Sequence, residues 1–405
     1  MPPAHVRARN YSPEVARRDD FPLGGGVTLE QLDRDPHPLL ARLREREPVT
    51  WIPALNGWLV TSYELALHVM RDADGFTVDD PRFTTARVVG ASMLSLDGDE
   101  HAAHRAPFVG PFRPAAVRER FAAAADADSR RLLAGLSSAG AAELRRAFAG
   151  PLAAGIVARA LGLELEATDD VLRWYDAIVA GVTEVTAGKP VPSAAAEAFA
   201  QLEAQLKTVI ARPGSGSLLA SVAASAALAE DQIVSNAAVL LFGGIETTEG
   251  MIANAALHLL ENPSALERSL REPQLLDTAI EESLRLEPAA AVIDRYARAA
   301  VALAQAEIAA GELVRISIAG ANRDPAIFAE PDRFDLERGN GRRHLAFAHG
   351  PHVCVGVHLA RLEARAGLRA LFEELPGIRL DPFRPSHVRG LVFRKPQMLH
   401  VVWNV

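Results

Sequence analysis

Apolar residues recur at helical spacing along most of the chain, and only a few short segments alternate as strands do. Between residues 100 and 260 the spacing is almost entirely helical, and residues 36–46 share it. Residues 49–52 and 58–61 flank an Asn-Gly pair that is typical of a β-hairpin turn. Strand-like character returns at 313–318 and at the C-terminus. This pattern predicts a mainly α fold with a minor β portion.

The most apolar predicted helix covers residues 231–261 and spans about 45 Å at 1.5 Å per residue. Residues 243–248, in its middle, combine two glycines, a carboxylate and two hydroxyls, each of which costs stability in a buried helix unless it is paired or useful. One interpretation is a close helix crossing with a threonine bonded to the preceding turn. The other is a locally opened helix in which Gly244 admits a flat ligand and Glu246 and Thr247 handle protons.

Length and composition restrict the class of protein. No repeat or low-complexity linker divides the 405 residues, so we expect one domain over 1–405, with the first 30 or so residues flexible. The net charge of −8, without a basic stretch, argues against a nucleic-acid partner. No run of 18 apolar residues and no signal sequence are present, which indicates a cytoplasmic protein without membrane contact.

The single cysteine stands close to three histidines, so a metal site has to be considered. A structural zinc ion would use His349, His352, Cys354 and His358, although zinc sites usually divide their ligands into two separated pairs. A haem iron would need only Cys354, which leaves Gly356 for a tight turn ahead of the next helix.

Glu282 and Arg285 are three residues apart on a predicted helix, where a carboxylate and a guanidinium can pair. An exposed pair of this kind is common and contributes little stability. The local spacing alone favours that plain interpretation.

Three motifs, taken together and in this order, resemble the cytochrome P450 superfamily. Residues 243–247 match (Ala/Gly)-Gly-x-(Asp/Glu)-Thr, Glu282 and Arg285 match Glu-x-x-Arg, and residues 347–356 match Phe-x-x-Gly-x-x-x-Cys-x-Gly. The resemblance extends from about Pro36 to the end of the chain. The chain departs from the family at 348 and within 302–310, where alanines replace the usual turn residues.

The resemblance implies a role for each matching residue. Cys354 would be the thiolate ligand of haem b, and Glu246 and Thr247 would deliver protons during catalysis. Glu282 and Arg285, with Arg323 or Arg333 as a downstream partner, would be structural. Further residues would bind the cofactor, four of them through its two propionates: His101, Arg105, Gly244, Arg295, Phe347, His352 and Gly356. The substrate pocket would include Val88, Val89, Met93, Leu240, Val292, Ile293 and Phe393.

The implied fold is a triangular helical prism with haem between the central helix and the helix that follows Cys354. The implied activity is an O2-dependent monooxygenase that hydroxylates, dealkylates or epoxidises a small hydrophobic molecule. NAD(P)H electrons would arrive through a separate ferredoxin and ferredoxin reductase. Six arginines would lie on the thiolate side of the fold and could steer an acidic ferredoxin; the alternative is that they simply belong to solvated helix faces. They are Arg113, Arg118, Arg120, Arg361, Arg365 and Arg369. We expect a monomer; a silent haem-binding sensor and a zinc-bound structural protein are the alternatives.

Overall fold

A computed structural model describes residues 20–163, 168–186, 189–212 and 217–405. Helices occupy most of this chain, as the apolar spacing predicts. Their bounds are α1 Pro22–Gly25, α2 Leu29–Arg34, α3 His37–Arg46, α4 Tyr63–Arg71, α5 Thr84–Val89, α6 Gly98–Val109, α7 Pro114–Ala134, α8 Gly150–Leu161, α9 Thr168–Thr186, α10 Ser193–Ile210, α11 Leu218–Ala224, α12 Glu230–Glu261, α13 Pro263–Arg271, α14 Pro273–Leu286, α15 Ile318–Ala321 and α16 Val357–Glu374.

The strands are short and form small sheets. Their bounds are β1 Val49–Ile52, β2 Gly57–Val60, β3 Phe76–Thr77, β4 Ala141–Glu143, β5 Val292–Ala297, β6 Val301–Leu303, β7 Ala306–Ile308, β8 Leu313–Ser317, β9 Arg379–Leu380, β10 Val388–Arg389, β11 Lys395–Pro396 and β12 His400–Val402. The largest sheet has the order β1-β2-β8-β5-β3, in which β2 and β8 are parallel and the other pairs antiparallel.

The predicted hairpin and the predicted central helix are both confirmed. Val49 pairs with Val60 across β1 and β2, and Asn56 adopts the left-handed conformation, with φ of 46°, that its turn requires. Helix α12 contacts α8, α14 and α16, so the core surrounds it on several sides. It stays helical through residues 243–248, so the predicted local opening of the helix is absent.

One hydrophobic core runs from Val89 to Trp403, and a second covers the large sheet. Phe21 lies in the second core, with its ring edge-to-face against Trp58 at 5.2 Å between centroids. Residues 1–19 lie outside the described part, and the flexibility expected for the first 30 or so residues stays a prediction. Within the described ranges, no helix is both long and apolar enough to cross a bilayer.

The hairpin of β6 and β7 contains one of the alanines that depart from the family pattern. Ala304 has a φ of 53°, which costs a residue with a Cβ atom about 1 kcal/mol. We expect Ala304→Gly to raise the free energy of unfolding by up to about 1 kcal/mol, measured by urea denaturation. The control is Ala306→Gly in the adjoining strand, which should lower it by about 0.5–1 kcal/mol. Destabilisation by both substitutions would contradict the strain at Ala304.

Candidate active site

The loop that carries Cys354 has a backbone path that two residues determine. Gly350 has a φ of 73°, and a Cβ atom there would lie 2.4 Å from the Met70 carbonyl oxygen of α4, so only glycine fits. Ala348 has a φ of 57° and so adopts, with some strain, a conformation that glycine adopts readily. The Cys354 N–H donates to the Phe347 carbonyl at 2.9 Å and closes the loop.

The thiol of Cys354 is accessible, yet it lies within the body of the protein. Its side chain is exposed, while burial by the surrounding chain raises the pKa of the thiol. The N–H of Gly356 and the charges of Arg105 and Arg361 lower the pKa of Cys354 and favour its thiolate.

The four candidate zinc ligands do not converge. His349 Nδ1 accepts hydrogen bonds from Arg71 and from the Gly350 N–H, and His352 Nε2 lies 2.8 Å from Asp97 Oδ1. Over the described ranges, no group of three or more His, Cys, Asp or Glu side chains could hold a metal ion. The zinc alternative is therefore wrong.

Helix α12 is accessible along one stripe in its otherwise buried middle. Leu240, Gly243, Gly244 and Thr247 are half-buried, and their spacing places them on one helix face. A Cβ atom at Gly243 would meet nothing within 4 Å, whereas one at Gly244 would lie 2.9 Å from Val157 of α8. The space beside Gly243 is open, and Gly244 also packs close to α8, so the role of Gly244 in admitting the ligand stays a prediction.

Glu246 and Thr247 have different partners. The Thr247 hydroxyl donates to the Gly243 carbonyl at 2.6 Å, as the plain interpretation of this segment predicts. Glu246 Oε1 lies 2.9 Å from Lys395 Nζ of β11, and Lys395 also contacts Glu249. Sequence analysis missed Lys395, which is 149 residues from Glu246 in the chain.

The four predicted propionate ligands gather near the start of α6. The His101 and His352 rings lie 4.3 Å apart, and Arg105 donates to the Val353 carbonyl at 2.6 Å. Arg295 is buried, and its charge interacts with Asp97. Burial and the neighbouring positive charges lower the pKa of His101 to about 4. Asp97 holds His352 in place; sequence analysis missed it, although it lies four residues before His101.

This set of donors fits a haem. One ionisable thiol suits an axial thiolate ligand, and two arginines and two histidines suit two carboxylates. His101 Nε2 is buried and has no hydrogen-bond partner among the described residues, so it can still donate to a carboxylate. The open space beside Gly243 lets a flat ring approach the backbone of α12.

The Glu282–Arg285 pair is deeply buried, at 1% and 0% side-chain exposure, so the surface-pair interpretation is wrong. Two hydrogen bonds of 2.8 Å join them, and Arg285 also donates to the carbonyls of Pro331 and Arg333. The downstream arginine that contacts Glu282 is Arg338, at 2.9 Å, and not the predicted side chains at 323 or 333. The pair therefore anchors the segment that leads into the cysteine loop.

The predicted pocket residues divide into two groups. Those that are half-buried, as cavity-lining residues would be, are Val88, Leu240, Ile293 and Phe393, whereas Val89, Met93 and Val292 are buried. Successive residues of a strand point to opposite faces, so Ile293 shares a face of β5 with Arg295. Val292 points to the other face, where it lines a small pocket with Leu59 and Ser317. The geometry argues against Val292 as a pocket residue of this site.

Comparisons with known proteins identify the family to which this chain belongs. The family profile described as Cytochrome P450 matches residues 195–376. Cytochrome P450 107B1 of Saccharopolyspora erythraea is 34% identical over 375 residues, with 86% of this chain and 89% of that protein covered. Mycinamicin IV hydroxylase/epoxidase of Micromonospora griseorubida is 33% identical over 381 residues, with 89% and 94% covered.

Solved structures share the fold. The crystal structure of P450BioI in complex with an acyl carrier protein ligated to hexadec-9Z-enoic acid is 28% identical, covers 93% of this chain and 100% of its own, and has a TM-score of 0.83. This chain thus combines a helix-rich architecture, a buried Glu-x-x-Arg pair and a cysteine loop. It also matches these relatives over most of its length. This chain belongs to the cytochrome P450 family of haem-thiolate monooxygenases.

Proposed function

We propose that this monooxygenase oxidises its substrate between the cysteine loop and the accessible stripe of α12. The observations that carry the proposal are the exposed side chain of Cys354 and the half-buried face of α12 that includes Leu240, Gly243 and Thr247. Haem, bound through Cys354, supplies the activation of O2. His101, Arg105, Arg295 and His352 bind the propionates, because charge-assisted hydrogen bonds offset the burial of two carboxylates.

Proton delivery belongs to Thr247 and Glu246 in this proposal. The Thr247 hydroxyl lies on the accessible stripe, where it can hold a water molecule by accepting a hydrogen bond while it donates to Gly243. Glu246 is off the stripe and bound to Lys395, so its carboxylate must leave Lys395 before it can exchange a proton near Thr247. The ion pair with Lys395 thus keeps the Glu246 carboxylate away from Thr247 until it is released.

The side chains available to a substrate are aliphatic or aromatic. Val88, Leu240, Ile293 and Phe393 offer no charge or hydrogen-bonding group, which favours a neutral hydrophobic molecule. Relatives include a hydroxylase/epoxidase, and hydroxylation of a C–H bond is the reaction we propose here. The single-domain organisation, the monomeric state and the cytoplasmic location expected from the sequence stay predictions.

We propose a ferredoxin as the electron donor, docked near the cysteine loop. Three of the six arginines named for this role are paired internally: Arg361 with Glu281, Arg365 with Asp277 and Arg369 with Asp126. The other three, Arg113, Arg118 and Arg120, form no ion pair with another described residue and lie at the start of α7. These three leave a smaller positive patch than the sequence predicts, and it suits an acidic partner.

The test is reconstitution of the purified holoprotein. Hydrophobic compounds are first screened for a spin-state change of the haem spectrum. Selected compounds are then incubated with NADPH, a surrogate ferredoxin, its reductase and 18O2. We expect one 18O atom per product molecule and a rate that falls with ionic strength, as for a charge-steered donor. NADPH consumption without labelled product from any binding compound would overturn the proposed activity, and a salt-independent rate would overturn the docking patch.

Replacing Thr247 with valine separates its catalytic role from packing. Valine keeps the shape and loses the hydroxyl, so its effect on the free energy of unfolding should be near 1 kcal/mol, that of one hydrogen bond. If the hydroxyl holds the proton donor, we expect Thr247→Val to bind substrate and consume NADPH while it releases much of the reduced oxygen as hydrogen peroxide. The ratio of product to NADPH is the measurement, and a ratio equal to that of the parent would refute this role.

A further inference from the structure

A second carboxylate next to the Glu-x-x-Arg pair reaches the cysteine loop directly. Glu281 of α14 precedes Glu282 and is likewise buried. Arg361 of α16 donates to both of its oxygens, from Nε at 2.6 Å and from Nη2 at 2.7 Å. His344 Nε2 lies 3.2 Å from Glu281 Oε2. One carboxylate thus joins α14, α16 and the segment that leads into the cysteine loop.

Both partners of Glu281 contact the ring of Phe347. The Arg361 guanidinium lies over this ring, 4.7 Å from its centroid, and the His344 ring is 5.9 Å away. His344 Nδ1 accepts the Ala346 N–H at 3.2 Å, so Nε2 carries the proton that it donates to Glu281. The Phe347 carbonyl in turn accepts the Cys354 N–H. The contacts therefore connect Glu281 to the backbone of the thiolate residue.

The charge of Glu281 opposes that of Arg361, with which it forms an ion pair. Burial alone would raise the pKa of Glu281, but the hydrogen bonds from His344 and Arg361 hold it at about 2, so the group is ionised at neutral pH. The positive charge of Arg361 lowers the pKa of Cys354. Because Glu281 neutralises Arg361 at close range, it limits the positive potential that reaches the sulfur.

We propose that Glu281 is a positioning residue of the thiolate loop, which holds Phe347 between Arg361 and His344 and offsets the charge of Arg361 at Cys354. The proposal rests on the haem-thiolate function proposed above. If so, Glu281 influences the reduction potential of the haem and the rate at which thiolate ligation is lost, although it touches neither substrate nor cofactor. Its neighbour Glu282 anchors a different segment, through Arg285 and Arg338.

The same two helices provide a matched control one turn away. Asp277 of α14 pairs with Arg365 of α16, four residues before Glu281 and four after Arg361. This second pair is more exposed, with the side chains of Asp277 at 33% and Arg365 at 51%. Neither side chain contacts a described aromatic residue of the cysteine loop. Asp277→Asn therefore removes a similar interhelical ion pair without reaching Phe347.

The experiment compares Glu281→Gln, Asp277→Asn and the parent as purified holoproteins. The readouts are the reduction potential of the haem and the rate at which the thiolate-type band of the reduced carbon monoxide complex is lost in mild urea. For Glu281→Gln we expect a higher potential, because the unbalanced Arg361 stabilises the more negative reduced centre, and a several-fold faster loss of the band. For Asp277→Asn we expect the parent's potential and a nearly unchanged rate.

A third variant separates charge from geometry if Glu281→Gln yields too little folded protein. Arg361→Lys keeps the positive charge but cannot make the bidentate contact or lie flat on Phe347. We expect faster loss of the band with a smaller change in potential. Equal potentials and rates in Glu281→Gln and Asp277→Asn, or in Arg361→Lys and the parent, would overturn the proposal while the haem-thiolate function stands. A parent without the thiolate band would overturn both.

Discussion

Replacing Cys354 with serine is expected to abolish the thiolate-type absorption of the reduced carbon monoxide complex. The Gly356 N–H and the charges of Arg105 and Arg361 all favour an anionic sulfur at this position. A serine hydroxyl stays neutral at accessible pH and cannot replace the electron donation of a thiolate. We therefore expect total loss of the band and of oxygenated product. The measurement is the difference spectrum of the reduced protein with and without carbon monoxide.

The matched control for this variant is Val353→Thr. Val353 is the exposed neighbour of Cys354, and threonine has nearly its shape, so the loop and its hydrogen bond from Cys354 to Phe347 should persist. We expect this control to keep the thiolate band. Because Cys354 is the single cysteine of the chain, a retained band in Cys354→Ser would show that the band does not arise from a protein thiolate, and the assignment of the cysteine loop would fail with it.

Replacing Arg285 with methionine is expected to have the largest effect on stability. Its side chain is inaccessible, donates twice to Glu282 and once each to the carbonyls of Asn322, Pro331 and Arg333. The variant leaves a buried carboxylate with one fewer cation and several buried acceptors without donors. Breaking a buried pair from one side costs about 3–5 kcal/mol, a large share of the 5–15 kcal/mol that stabilises a typical protein.

We expect Arg285→Met to give little soluble holoprotein and a much lower midpoint of urea denaturation. The control is Arg333→Met, whose side chain is 61% exposed in a pair with Glu330 and should change the free energy of unfolding by less than about 0.5 kcal/mol. If Arg285→Met unfolds within about 1 kcal/mol of the parent, the pair does not anchor the segment before the cysteine loop.

Local patterns in the sequence were sufficient for several elements. The apolar run that predicts a helix over 231–261 corresponds to α12 at Glu230–Glu261, and the Asn-Gly turn predicts the hairpin of β1 and β2. The motifs at 243–247, 282–285 and 347–356 identify the family. All of these signals lie within one element or one loop, where neighbouring residues in sequence are also neighbours in space.

For some residues the sequence identifies the element but not the direction in which the side chain points. The sequence identifies two glycines in α12, but only the packing of α8 shows that Gly244 faces Val157 while Gly243 faces open space. In β5, alternation places Val292 and Ile293 on opposite faces, but only the packing shows that Val292 lines a small pocket with Leu59 and Ser317.

By itself, the sequence determined the mainly helical class, the family and the candidate thiolate ligand, because each depends on spacing inside one segment. The tertiary structure alone decided which distant charges meet. Arg338 rather than a nearer arginine binds Glu282, Lys395 binds Glu246, and Glu281 binds Arg361 across two helices. Charged side chains in a buried site must be paired, but many pairings satisfy that requirement. The choice among them follows from how helices and loops pack, which no local pattern encodes.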